Sequence, residues 1–148
     1  MAIVRTAGTE IIRTHLFNAL GSVSARTLIQ GVQHHIYTVL SVTAYCVARS
    51  GSQYGYLNLI GYDAGGGLTA QTKQLARLSN SVGETFVWND KFSFNGFEPV
   101  DFAAGIDATK QDAIADQGSA VSQYLHFSTD GTSTYYDVTV TFIDQNNA

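Results

Sequence analysis

One cysteine, one proline, one tryptophan and one methionine occur in 148 residues, and charged side chains make up only 14%. Each shortage removes a class of protein. A lone thiol cannot close an intrachain disulfide, so a small cross-linked secreted scaffold is not expected. Cys46 sits in Val-Thr-Ala-Tyr-Cys-Val-Ala and reads as a small buried hydrophobe rather than a nucleophile. The low charge, set beside 45% apolar residues, is the opposite of a disordered chain. Eight Lys and Arg against twelve Asp and Glu leave a net charge of -4, the wrong sign for neutralising phosphates, so nucleic acid is not an expected partner. The imbalance is uneven: residues 1–80 carry +4 and residues 81–148 carry -8, a pattern that suits contact between packed subunits unless the two halves interleave.

No signal-peptide-length apolar core precedes Glu10 and Arg13, so manufacture and use without secretion is expected. One stretch is long enough to cross a bilayer: the 22 residues Thr27 to Ala48 contain no Asp, Glu, Lys or Arg. Gln30, Gln33, His34, His35 and several hydroxyls inside it are costly in lipid and ordinary in two successive strands, so no membrane partner is expected.

What is plentiful points to strands. Eight Tyr, eight Phe, fourteen Gly and many Thr, Ser and Val favour pleated surfaces and tight turns. Within residues 1–25, read as an N-terminal arm or docking segment, Ile12, Leu16 and Leu20 recur every fourth position from Thr9 onward and suggest a short helix or docking arm closed by Gly21. Thr27 to Ile29 and Ile36 to Ala48 read as strands, the second apolar on both faces and therefore central. Tyr54 to Tyr62 places Tyr54, Tyr56, Ile60 and Tyr62 on one face and Leu57 and Leu59 on the other. Leu68 to Ser81 fits a strand pair or one helical turn. Phe86, Trp88, Phe92 and Phe94 fall on even positions while Asn89, Lys91 and Ser93 fall on odd ones, and Asn95-Gly96 marks a tight turn. Residues 103–118 are small and acidic and read as a surface insertion with a short helix. Val121 to Phe127, a turn at Asp130-Gly131, and the clean alternation of Tyr136 to Ile143 complete the chain. The expected fold is all-β: residues 26–148 as a single β-sandwich of jelly-roll type.

The sequence carries no recognisable catalytic motif. In Gly51-Ser-Gln-Tyr-Gly55 the serine stands one place early for a nucleophile elbow, and Gly65-Gly66-Gly67 lacks the Lys-Ser/Thr that binds phosphate. His34 and His35, as strand neighbours, point to opposite faces, and neither they nor His15 and His126 show zinc spacing. Asp107, Asp112 and Asp116 miss the spacing of a calcium loop. Glu84, Asp90, Glu98 and Asp101 could supply a glycosidase pair only if the fold brought two of them together. No catalytic residue, metal or cofactor is therefore expected. Tyr54, Tyr56, Tyr62, Tyr135 and Tyr136 could bind sugar, but rings on strands usually pack in a core or at a subunit interface. Trp88, Phe92, Phe94 and Phe97, with Tyr54, Tyr56 and Tyr62, are the expected core or interface anchors, Phe97 at an interface; Arg5 and Arg13 are the expected arm contacts.

Three segments carry a resemblance: the run His35-Ile-Tyr-Thr-Val-Leu-Ser-Val-Thr-Ala-Tyr-Cys-Val, the segment Glu84-Thr-Phe-Val-Trp-Asn-Asp-Lys-Phe-Ser-Phe, and the closing Tyr135-Tyr-Asp-Val-Thr-Val-Thr-Phe-Ile-Asp. Their arrangement resembles the small capsid decoration, or cement, proteins of tailed bacteriophages, a look shared with trimeric tumour-necrosis-factor-like sandwiches. The resemblance implies a non-enzymatic structural protein on the capsid exterior, made in the host cytoplasm, with the major capsid protein and its own copies, as a homotrimer, for partners. The alternatives are a tail, baseplate or fibre component, or a carbohydrate-binding attachment module.

Overall fold

A computed structural model describes residues 9–21, 26–63, 69–98, 109 and 121–146. The strands are β1 (Thr9–Gly21), β2 (Arg26–Gln30), β3 (His35–Ala48), β4 (Gly55–Asp63), β5 (Thr69–Leu78), β6 (Thr85–Trp88), β7 (Phe92–Asn95), β8 (Phe97–Glu98), β9 (Val121–Ser122), β10 (Tyr124–Thr129) and β11 (Tyr135–Asn146). One sheet runs β1-β11-β3-β6, with β7 also paired to β3; the other runs β2-β10-β4-β5, and β8 pairs with β9. Every pairing is antiparallel. The chain changes sheet between each successive pair of its first four strands, again from β5 to β6, and again from β10 to β11. That order is the double Greek key of a jelly roll.

The core follows from side-chain alternation. On β11, Tyr136, Val138, Val140 and Phe142 are buried while the residues between them are half-buried. β3 is central, flanked by β11 on one side and by β6 and β7 on the other. Its buried set changes parity, from Tyr37 and Val39 to Val42, Ala44 and Cys46, because the register against β11 shifts by one between Val39 and Ser41. A bulge there swaps the two faces of the strand. From the other sheet come Leu28, Ile29, Leu57, Leu125 and Phe127, all buried. Tyr136 bridges the layers: its ring lies 5.5 Å from that of Phe127, and its hydroxyl donates to the carbonyl of Leu78 at 3.4 Å.

Burial of two rings sets a pH limit. Desolvation first, then the Asp144 charge, pushes Tyr37 from 10.0 up to about 12; desolvation first, then Cys46, does the same to Tyr136. A raised folded-state value means that stability is intact below pH 10.0 and lost as pH rises towards 12. Unfolding free energy is expected to fall there by up to about 1.4 kcal/mol per pH unit for each ring. Denaturant titrations across that window should show a shallower fall for Tyr37→Phe; an unchanged slope would contradict the assignment.

Several expectations change. Thr9–Gly21 is not a helix but a strand paired with β11, bulged between Phe17 and Leu20. At the bulge Ala19 adopts φ 52°, and its N–H donates to Oδ1 of Asp137 at 2.8 Å. A left-handed alanine is strained, and glycine is not. After glycine's extra chain entropy is subtracted, Ala19→Gly should add roughly 0.5 kcal/mol, read as a rise in Tm of about 1–2 °C. In the stretch read from Leu68 to Ser81, Thr69–Leu78 forms the single strand β5. The aromatic run breaks into β6 and β7, which pair with different parts of β3. Asn95-Gly96 makes no hairpin: the chain bends at Gly96 and leaves β3 to pair, as β8, with β9. Beyond Thr109, the 103–118 insertion lies outside the described residues, as do Arg5 and the three glycines 65–67. The unequal charge of the two halves is mixed in space, since β11 lies between β1 and β3.

Candidate functional site

The aromatic anchors divide by face. Phe94 is buried, stacked 5.3 Å from Tyr37, and Phe86, Trp88 and Phe92 pack against the core from the rim, the last two edge to face at 6.3 Å. Phe97 is half-buried on β8 beside Ser122. Tyr54 and Tyr56 lie on the other sheet's outer side, where Arg49 and Arg77 stand 5.3 and 4.7 Å from the Tyr54 ring centre. The Tyr56 hydroxyl donates to Asp130 at 2.9 Å, a hydrogen bond that raises its pKa. Both rings are thus already engaged, in contacts that sugar stacking would have to displace. Tyr62 is on β4 opposite Ala70.

Arg13 is in an intramolecular ion pair. Its Nε donates to Oδ2 of the buried Asp144 at 3.2 Å, while His35 Nδ1 donates to Oδ1 at 2.6 Å. Asp144 therefore ties β1, β3 and β11 together at one end of the sheet. Sequence reasoning missed this cluster, whose members lie 131 and 109 positions apart; only the even spacing of Asp144 from Tyr136, which places it on the buried face of β11, signalled it. Asp144→Ala strands two donors and is expected to cost about 1–3 kcal/mol, measurable by thermal unfolding; a loss under 0.5 kcal/mol would show that water replaces the carboxylate without penalty.

The remaining candidates are scattered. His15 donates from Nδ1 to the carbonyl of Leu28 at 3.0 Å, joining the edges of the two sheets. His126 faces away from the core on β10 with its Nδ1 buried and unpartnered, and desolvation lowers its pKa. Among the described residues no three His, Cys, Asp or Glu side chains converge as a metal site would require. Cys46 is fully buried. Glu84 lies beside Cys46 near one end of β3 and Glu98 past the other end, with Asp90 in the loop between β6 and β7; a span of about ten strand residues is roughly 30 Å, too far for Glu84 and Glu98 to act as a glycosidase pair. Asp101, Asp107, Asp112 and Asp116 lie outside the described residues.

What the fold does assemble is a surface. The outer face of the β1-β11-β3-β6 sheet presents Thr14, Thr141, Thr139, Ser41, Thr43 and Thr85 among exposed apolar residues: Ile12, Leu16, Tyr45, Val47 and Val87. Across the described strands of that face the only charges are Glu10, at one end, and Asp137, whose carboxylate is held by the Ala19 N–H.

No family model and no curated protein matches the chain. Several solved chains align in shape, one of them over the whole chain. That one comes from work titled "Bacillus endospore appendages form a novel family of disulfide-linked pili", and it covers 100% of this chain and 97% of its own at TM-score 0.46 and 9% identity. A likeness at that level carries no functional assignment. The chain is a small β-rich sandwich, and its role rests on its own surfaces.

Proposed function

We infer that this chain is a non-enzymatic structural subunit that docks on a larger protein shell, the capsid of a tailed bacteriophage, and clamps neighbouring capsid subunits from outside. The observation that carries the reading is the almost uncharged, hydroxyl-rich outer face of the β1-β11-β3-β6 sheet. Protein interfaces deplete charge at their centres and keep aromatic residues there, as Tyr45 and the surrounding Thr and Val do; a nucleic-acid or anionic-membrane surface would need the Lys and Arg that this face lacks. The jelly-roll topology agrees with the resemblance to decoration proteins, although a fold alone does not fix a role. The mechanism is mass action: a subunit that binds only the assembled shell stabilises it in proportion to its occupancy.

Quantitative mass spectrometry of purified source particles tests the reading by comparing copies of this chain with copies of the major shell protein. Many copies in a simple ratio are expected. A handful would move the chain to the tail, baseplate or fibre, and absence from particles would overturn the virion role.

A further inference from the structure

β1 ends its sheet, so one whole edge of the strand has no strand beside it among the described residues. Edge strands are normally kept short, interrupted or charged, because an open edge invites another strand. β1 is 13 residues long, carries no proline, and has only Glu10 and Arg13 as charges. Its bulge lies beyond Phe17, leaving Thr9 to Phe17 in unbroken register. On that stretch Ile12 is 69% and Leu16 74% exposed on the outer face, and Ile11 is 44% exposed on the inner one. β2 is likewise an edge, and a groove of about 590 Å³ separates the two, walled by Leu16, Phe17, Thr27 and Leu28.

The sequence of β1 reads alike in both directions from Thr14. Ile12 and Leu16 flank it at two positions, Arg13 and His15 at one, Ile11 and Phe17 at three. We propose that two copies of this chain associate by antiparallel pairing of β1 with β1, across a two-fold axis through Thr14, making one continuous sheet of the two. Directly opposed residues in such a pair share a face, so only registers centred on a residue qualify. Centring on Thr14 sets Ile12 against Leu16, Ile11 against Phe17 and Glu10 against Asn18, and Arg13 meets His15 while its own Asp144 balances its charge. Centring on Arg13 opposes two guanidinium groups; on Ile12, it sets Ile11 against Arg13; on His15, Ile12 against Asn18 and Arg13 against Phe17. One register alone matches apolar to apolar throughout. The contact is a strand pair with the adjoining groove, at the small end of specific interfaces, below about 1,200 Å², so a weak, concentration-dependent dimer follows. This goes beyond the capsid reading and does not rest on it, since the contact is measured on the isolated chain.

Oxidative cross-linking reads the register. Thr14→Cys should form a disulfide-linked dimer, because opposed residues bring their Cα atoms within about 4.5–5.5 Å, inside the range a disulfide spans. Ile12→Cys should not, since its symmetry mate lies four residues along, about 13 Å away. The buried Cys46 does not compete. In sedimentation, Ile12→Lys and Leu16→Glu are each expected to weaken association at least tenfold, and the double variant, which opposes Lys to Glu at both contacts, to regain most of it. A chain still monomeric at about 1 mM, linkage at Ile12→Cys as efficient as at Thr14→Cys, or a trimer, which an isologous contact cannot build, would each overturn the proposal. Particle copy number is independent of all of these outcomes.

Discussion

Tyr136→Ala is expected to remove about 4 kcal/mol of folding free energy, a large share of the roughly 5–15 kcal/mol that a domain of this kind possesses. The side chain is fully buried near the start of β11 and is among the largest so enclosed. Truncation deletes the edge-to-face contact with Phe127, opens a cavity between the two sheets and leaves the Leu78 carbonyl without its donor. Gly55 adds to the loss, since an added Cβ at that residue would lie 3.0 Å from the Tyr136 ring, and the backbone there cannot collapse far into the void while β4 holds it. Tyr136→Phe separates the terms: it keeps the ring and should cost about 1 kcal/mol. Denaturant unfolding of the two variants measures the difference, and equal losses would mean that the hydroxyl, not the packed ring, is the main contributor.

The second large effect is expected at Gly96→Ala, about 3 kcal/mol by steric overpacking. Three segments meet there through their backbones. The N–H of Gly96 donates to His35 at 2.8 Å, Gln123 donates to the Gly96 carbonyl at 2.9 Å, and Gly31 donates to Gln123 at 2.8 Å. A Cβ on Gly96 would overlap the Val32 carbonyl, and one on Gly31 would overlap the carbonyls of both Gly96 and Gln123. No flexible side chain stands in the way to yield, so strands or loops must separate. Gly83→Ala is the contrast: its φ of 90° disfavours alanine, but nothing lies within 4 Å of the new methyl, so the cost is conformational and near 1 kcal/mol. If Gly83→Ala proved the more damaging, the crossing at Gly96 would be looser than its hydrogen bonds indicate.

The elements read well from sequence were those whose alternation survives intact. β11 keeps one parity of burial from Tyr136 to Asp144, and the aromatic positions 86, 88, 92 and 94 keep theirs even though a loop divides them. β1 was misread for a physical reason: a spacing of four residues at Ile12, Leu16 and Leu20 suits a helical face and also one side of a strand, and the bulge before Leu20 hides the two-residue period that would decide. Asn95-Gly96 carries hairpin residues, yet what Gly96 supplies is a close backbone approach, which local sequence does not distinguish from a turn. The surface proposed to dock was legible only as a shortage of charge. Which Thr and Val would gather on one face depended on β11 lying between β1 and β3, a pairing of segments that are far apart in the chain.

That same placement governs the order in which the protein can be built. β11 is the last of the described strands to leave a ribosome, and it is the one that joins β1 to the rest of its sheet. A nascent chain halted after Thr129 holds β2, β10, β4 and β5 and can assemble that layer, yet its β1 lacks its β11 neighbour and Phe127 lacks the Tyr136 ring. Pairing Thr9 with Asn146 closes a loop that spans nearly the whole chain, with the slow folding such distant contacts entail. Through that interval β3 lacks its β11 neighbour, so the yield of folded protein depends on how quickly synthesis delivers β11.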